Sequence, residues 1–182
     1  MSTRLPVLWL LGPTSAGKTT LGRALCKLLR RELTVPVLHL DGDEIRDIFD
    51  GAADFSPEGR LRVVRGLVMM ADKASEAGVL AIVSALTANE NARNFIRRSL
   101  PTVLTAYVSC PQSVCMARDP KGLYRQAAAG EIDTLIGFNT PYIPPADPEI
   151  VIDTGVNDTQ TCVSQLASFI KSRLRSEHME KS

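Results

Sequence analysis

Gly12, Pro13, Thr14, Ser15, Ala16, Gly17, Lys18 and Thr19 satisfy every fixed position of the Gly-x-x-x-x-Gly-Lys-Thr phosphate-binding loop, the P-loop. In such a loop, backbone N–H groups cradle phosphate oxygens at a helix N-terminus, where the helix dipole favours negative charge. Gly12 and Gly17 allow close approach of backbone to ligand, Lys18 would reach the β- and γ-phosphates, and Thr19 would set its hydroxyl on Mg²⁺. With Ser15, Ala16 and Thr20 they make a binding set for a nucleoside triphosphate. A glycine-rich turn without a ligand is the bland alternative. The apolar run before the loop and the helix-forming composition after it argue against that.

Asp41, Gly42 and Asp43 form the next informative cluster, just beyond a second apolar run. Open α/β sheets bind ligands outside the C-terminal ends of their strands. Two carboxylates there suit phosphoryl transfer: one holds Mg²⁺ through water, while the other orients the acceptor hydroxyl and takes its proton late. No strong base is needed, because positioning and charge neutralisation supply most of the rate in a loose transition state. Asp-Gly-Asp is also an ordinary polar turn; beside a P-loop the catalytic reading is preferred. Thr19 and Asp41 are the candidate metal residues, and Lys18, Asp41 and Asp43 the candidate catalytic ones.

Arg46 follows one turn later, and Arg60, Arg62 and Arg65 lie on an amphipathic segment, so any could clamp an anionic acceptor. For Arg62 and Arg65 a solvated helix face is the simpler expectation. The stretch from Arg118 to Tyr124 opens a long irregular connection, residues 118–148, which reads as a lid whose Arg118 and Lys121 could close over the triphosphate. His39 lies in a strand-like run, where a satisfied core histidine is expected, and receives no role.

The elements that must position these groups are legible in the apolar pattern. Runs at 5–11, 35–40, 79–85, 103–108 and 150–152 are short and rich in Val, Ile and Leu, and they alternate with helical patterns. That is the pattern of an α/β fold with a five-stranded parallel sheet. Residues 18–33 have helix-forming composition. Residues 57–77 carry helical spacing at Leu61, Val64, Leu67, Val68, Ala71 and Ala74, with Ser56 as N-cap and Gly78 past the end. A terminal helix over about 158–175 repeats the pattern.

The whole chain bounds the answer further. At 182 residues and 45% hydrophobic it fits one domain over 1–182, and a formal charge of +1 argues for no nucleic-acid or anionic-membrane partner. No leader-like segment or membrane-length apolar run is seen, so a cytoplasmic protein is expected. Cys26, Cys110, Cys115 and Cys162 show no metal-ligand spacing and read as buried reduced thiols. A nucleotide switch would carry the Asn-Lys-x-Asp guanine signature, which is absent, and a dead binding module would be expected to lose Lys18, Thr19 or the acidic pair, all of which are present.

In order and spacing, the P-loop, Asp41-Gly42-Asp43 with Arg46, Phe55-Ser56, the stretch from Arg118 to Tyr124, Gly130-Glu131-Ile132, Pro141-Tyr142 and the stretch from Pro148 to Thr154 resemble adenylylsulfate (APS) kinase. The likeness runs from about Leu5 to Thr154, and Lys121-Gly122-Leu123-Tyr124 is its most specific part. It implies a P-loop kinase fold with helices on both faces of the sheet, a homodimer, and transfer of phosphate from MgATP to the 3′-hydroxyl of APS, giving PAPS. By that likeness Arg46, Phe55 and Arg60 belong to the acceptor pocket, with Arg118 and Lys121 near the nucleotide and the transferred phosphate. Lys121 thereby joins the catalytic candidates, and Asp43 and Lys121 also face the acceptor.

The departures gather on the acceptor side. Val63 stands where the family has an asparagine, Leu135 where a second aromatic closes on the base, with Phe138 nearby as a substitute. Ala88 to Asn91 replace a Ser-Pro-Tyr-Arg segment, and Glu44 replaces an asparagine. The alternative acceptor is therefore a different nucleotide-linked acid, such as cytidine diphosphoramidate.

Overall fold

Short runs of branched and leucine side chains, buried throughout at 7–11 and 80–85 and partly exposed in the other runs, form the strands of the computed structural model, which describes residues 4–49 and 55–179. Residues 1–3, 50–54 and 180–182 of the expected 1–182 domain lie outside the described part. The strands are β1 (Val7–Leu11), β2 (Val37–Asp41), β3 (Leu80–Ala85), β4 (Val103–Ser109) and β5 (Ile150–Asp153). All four pairings are parallel, as the apolar pattern predicts, and the order is β2-β3-β1-β4-β5. The connection leaving β1 runs to one side and that leaving its neighbour β4 to the other, which opens a crevice at the strand C-termini.

Seven helices are described: α1 (Lys18–Glu32), α2 (Gly42–Ile48), α3 (Pro57–Glu76), α4 (Glu90–Ser99), α5 (Gln112–Arg118), α6 (Leu123–Ala128) and α7 (Thr159–Met179). Alternation along β1 divides the core into two layers. Leu8 and Leu10 pack with Leu21, Leu25 and Leu29 of α1 and with Cys162, Leu166 and Ile170 of α7. Val7, Trp9 and Leu11 face Val63, Val64, Leu67, Val68 and Ala71 of α3 and Ala92 and Ile96 of α4. Helices therefore cover both faces, and burial of these side chains, about 1.5–3 kcal/mol each, holds the crevice rigid.

Local signals set the helix ends. The Ser56 hydroxyl accepts from Gly59 N at 3.1 Å to start α3, and the Asn89 side chain accepts from Ala92 N at 2.7 Å to start α4. Leu61, expected in the core stripe of α3, is only half-buried and turns to the crevice. The terminal helix reaches Met179, four residues past its expected end at 175. The segment 118–148 is less irregular than its composition suggests, since α6 lies inside it. The buried Asp119 carboxylate explains this: Oδ1 accepts from Tyr124 N and Oδ2 from Arg125 N, both at 3.1 Å, which satisfies the first amides of that helix. All four cysteines are buried free thiols. Among the described residues no helix is long and apolar enough to cross a membrane.

Candidate active site

The loop between β1 and α1 is held by its carbonyls. Lys18 Nζ donates to Pro13 O at 2.6 Å, Tyr124 Oη to Thr14 O at 3.2 Å, Thr154 Oγ1 to Ala16 O at 2.8 Å, and Ser84 Oγ to Lys18 O at 3.1 Å. With those acceptors engaged, the first amides of α1, which have no intrahelical partners, are the donors available to an anion. Gly17 precedes the helix at φ +94°, a left-handed geometry that costs a side-chain-bearing residue energy. Gly12 lies so close to β4 that a Cβ would sit 2.3 Å from Val108 O. Gly12 and Ala16 are buried beneath the loop, whereas Ser15, Gly17, Lys18, Thr19 and Thr20 line the crevice. His39 is the satisfied histidine the sequence suggests, its Nε2 2.9 Å from Ser84 Oγ.

Desolvation in the loop lowers the Lys18 pKa from 10.5 to about 8, against the pull of Asp43 and Asp41. A triphosphate would raise it again, because anionic oxygens favour the ammonium. Below pH 8 the lysine is already charged in the free protein; above it, binding must take up a proton, so MgATP affinity falls as pH rises beyond 8. Calorimetry at pH 8.5 in two buffers of different ionisation heat is expected to show net proton uptake, and a Lys18→Met variant to lose it. Equal heats after buffer correction would count against a neutral lysine in the free site.

Thr19 and Asp41 meet directly, with Thr19 Oγ1 donating to Asp41 Oδ2 at 2.7 Å. Asp41 is 3% exposed and its Oδ1 accepts from Asp43 N at 2.9 Å, so the same carboxylate starts α2. A hydroxyl and a buried carboxylate at this spacing are hard oxygen donors of the kind Mg²⁺ selects. The described residues contain no cluster of three or more His, Cys, Asp or Glu, so phosphate oxygens and water would supply the remaining ligands. Asp43, one residue beyond Gly42, is exposed and pairs with Lys121 Nζ, which ties the start of α2 to the stretch before α6.

The facing wall is basic and aromatic. The Arg46 guanidinium lies 4.6 Å from the Phe55 ring centroid, and Arg60 donates to Thr134 O at 2.6 Å while its buried Nε has no hydrogen-bond partner. Burial first, and then the Arg46 charge, push the Arg60 pKa down, which marks a place that an anion would relieve. Phosphate loop, acidic pair and arginines line one crevice of about 1180 Å³. Val63 and Leu135 also line it. Phe138 does not stand among its lining residues: the turn 135–140 folds inward, and the half-buried ring packs edge-on against Tyr124, with centroids 6.4 Å apart. Arg118 reaches Thr154, donating to its carbonyl at 2.5 Å and its hydroxyl at 3.3 Å, which sets the guanidinium beside the loop-bracing threonine.

Tyr124, Thr154 and Arg93 carry more of the site than their types suggested. Arg93, 3% exposed, donates to Thr87 O at 3.1 Å and to Ala88 O at 3.3 Å, and it also reaches Ile143 O, holding the end of the lid segment against the β3–α4 loop. Its one sequence signal was a cation placed between the core residues Ala92 and Ile96.

A P-loop at the centre of a parallel β2-β3-β1-β4-β5 sheet, facing an acidic pair and a basic pocket, defines a P-loop kinase, a phosphotransferase. The adenylylsulphate kinase family profile matches residues 4–153, and the chain belongs to that family. A Synechococcus adenylyl-sulfate kinase is 36% identical over 173 residues, covering 95% of this chain and 98% of the relative. A probable adenylyl-sulfate kinase of Archaeoglobus fulgidus is 41% identical over 152 residues, covering 84% and 97%. The solved Mycobacterium tuberculosis APS kinase in complex with AMPPNP and APS superposes with a TM-score of 0.86 at 24% identity, covering 92% of this chain and 98% of that one, and so supports the fold.

Proposed function

We propose that the chain transfers the γ-phosphoryl group of MgATP to the 3′-hydroxyl of adenosine 5′-phosphosulfate, giving PAPS. The observation that carries this is one crevice lined by the phosphate loop with Lys18, by Arg46 and Arg60, and by the Asp43–Lys121 pair. Its membership of a family whose named members are adenylyl-sulfate kinases supplies the acceptor.

In this mechanism the loop amides and Lys18 hold the triphosphate, and Arg118 and Lys121 spread the charge on the moving phosphoryl group. Arg46 and Arg60 take the anionic end of the acceptor and Phe55 its base, with Val63 and Leu135 as apolar walls. Asp43 orients the hydroxyl and receives its proton late in the transfer, and Lys121 pairs with that carboxylate. Thr19 and Asp41 would hold Mg²⁺, which neutralises phosphate charge when bound. The 182 residues act as one kinase domain with 118–148 as the lid, a homodimer in the cytoplasm.

The test supplies ATP, Mg²⁺ and APS and follows ADP release, with the product identified by mass. Expected is stoichiometric PAPS. Turnover with another nucleotide-linked acid and none with APS would overturn the acceptor.

A further inference from the structure

We propose that Tyr124 is a positioning residue that couples the phosphate-binding loop to the acceptor-side turn 135–140, so that nucleotide in the loop stiffens one wall of the acceptor pocket. The identity of that pocket rests on the kinase function above; the coupling itself is argued from contacts alone.

The base of Tyr124 is fixed, because Asp119 holds its backbone amide and the next one. The side chain runs from α6 to the P-loop, 3% exposed, and its hydroxyl donates to Thr14 O at 3.2 Å. Burial pushes that phenol up to about 12, so it remains a donor across the working pH range. On its other side lies the turn. Gly137, at φ +100°, passes so close that a Cβ there would sit 3.1 Å from the Tyr124 hydroxyl, and the Phe138 ring meets the tyrosine ring at 75°.

The turn is knitted to move as one piece. Phe138 N and Asn139 N donate to Leu135 O at 3.2 and 2.9 Å, Asn139 Oδ1 accepts from Leu135 N at 3.0 Å, and Gly137 N donates to Thr140 O at 2.7 Å. Its leading edge is the acceptor wall: Leu135 lines the crevice and the adjoining Thr134 O takes the Arg60 guanidinium. A continuous series of contacts thus runs from Thr14 through Tyr124, Gly137 and Leu135 to Arg60. Next to Thr14, Ser15 is held at φ +62°, a conformation its side chain disfavours. Phosphate seated on these amides fixes the Thr14–Ser15 peptide, and the hydroxyl passes that restraint to the turn. Core packing alone would be served by phenylalanine; a buried hydroxyl aimed at a loop carbonyl is the surplus group this role explains.

The experiment is amide hydrogen exchange on the full chain with and without MgADP. In the wild type, MgADP is expected to slow exchange of residues 135–140 by about fivefold or more, although none of them belongs to the phosphate loop. Tyr124→Phe, examined at MgADP concentrations that saturate it, is expected to lose that slowing. Gly137→Ala, which drives a methyl into the hydroxyl, is expected to lose it too and serves should Tyr124→Phe not fold. Slowing retained in either folded variant, no slowing in the wild type, or a folded Tyr124→Phe that no longer binds MgADP would each overturn the coupling. Wild-type turnover with APS is followed alongside. Absence of PAPS with the exchange response intact removes the acceptor assignment and leaves the coupling standing.

Discussion

Lys18→Ala is expected to lower kcat/KM for ATP-dependent transfer by at least about a hundredfold while the protein stays folded. The lysine gives up hydration to occupy the loop, which is why its pKa falls, and in the free protein its ammonium gains one hydrogen bond, to Pro13 O. Alanine removes a poorly solvated charge together with that contact, so the folded state loses little. The loss falls on the reaction instead. Charge building on the β–γ bridging and γ oxygens would then lack the loop ammonium, and such pre-placed charge is commonly the largest contribution to catalysis. Steady-state kinetics beside a thermal melt separates the two: a hundredfold loss with a melting temperature within a few degrees of the parent is the expected pair. Unchanged turnover would remove Lys18 from the mechanism.

Asp43→Asn is expected to cost at least about a hundredfold in kcat, with a smaller change in the KM for ATP. Asparagine keeps the shape of the side chain but neither attracts the Lys121 ammonium nor accepts a proton. The aspartate is exposed and paired across solvent, so the fold is barely affected. Asp41 would make a poorer test, because it also starts α2 and holds Thr19, and its replacement mixes structural with chemical loss. A plain rise in KM at constant kcat would assign Asp43 to binding alone. Because the Asp43 charge holds the Lys18 pKa up against desolvation, its replacement is also expected to move the lysine-linked fall in MgATP affinity to lower pH.

What could be read beforehand follows the range of the interactions involved. The P-loop, the Ser56 cap and the apolar strands depend on neighbours within a few residues, so their types and spacing were sufficient. Arg46 and Phe55, neighbours in the structure, are close in sequence, and a resemblance was enough to suggest both for one pocket. The contacts that shape the lid span far more chain. Tyr124 reaches back 110 residues to Thr14 and Arg60 forward 74 to Thr134, and no local pattern announces either. Phe138 shows the effect of that distance: the inward fold of its turn brings the ring edge-on against Tyr124, a contact no local pattern announces. Arg93 escaped notice because a buried guanidinium needs carbonyls from two separate loops, and those meet only once the sheet has formed.

The ties on the P-loop carbonyls come from β3, α6 and the residue after β5, whereas the acceptor wall is drawn from α2, α3 and the turn 135–140. On the proposed function, fuel handling and cargo choice would thus draw on largely separate parts of the scaffold, with Tyr124 the link between them. Changes at crevice-lining positions such as Val63 and Leu135 would then retune which molecule is modified while the engine that spends ATP keeps its shape.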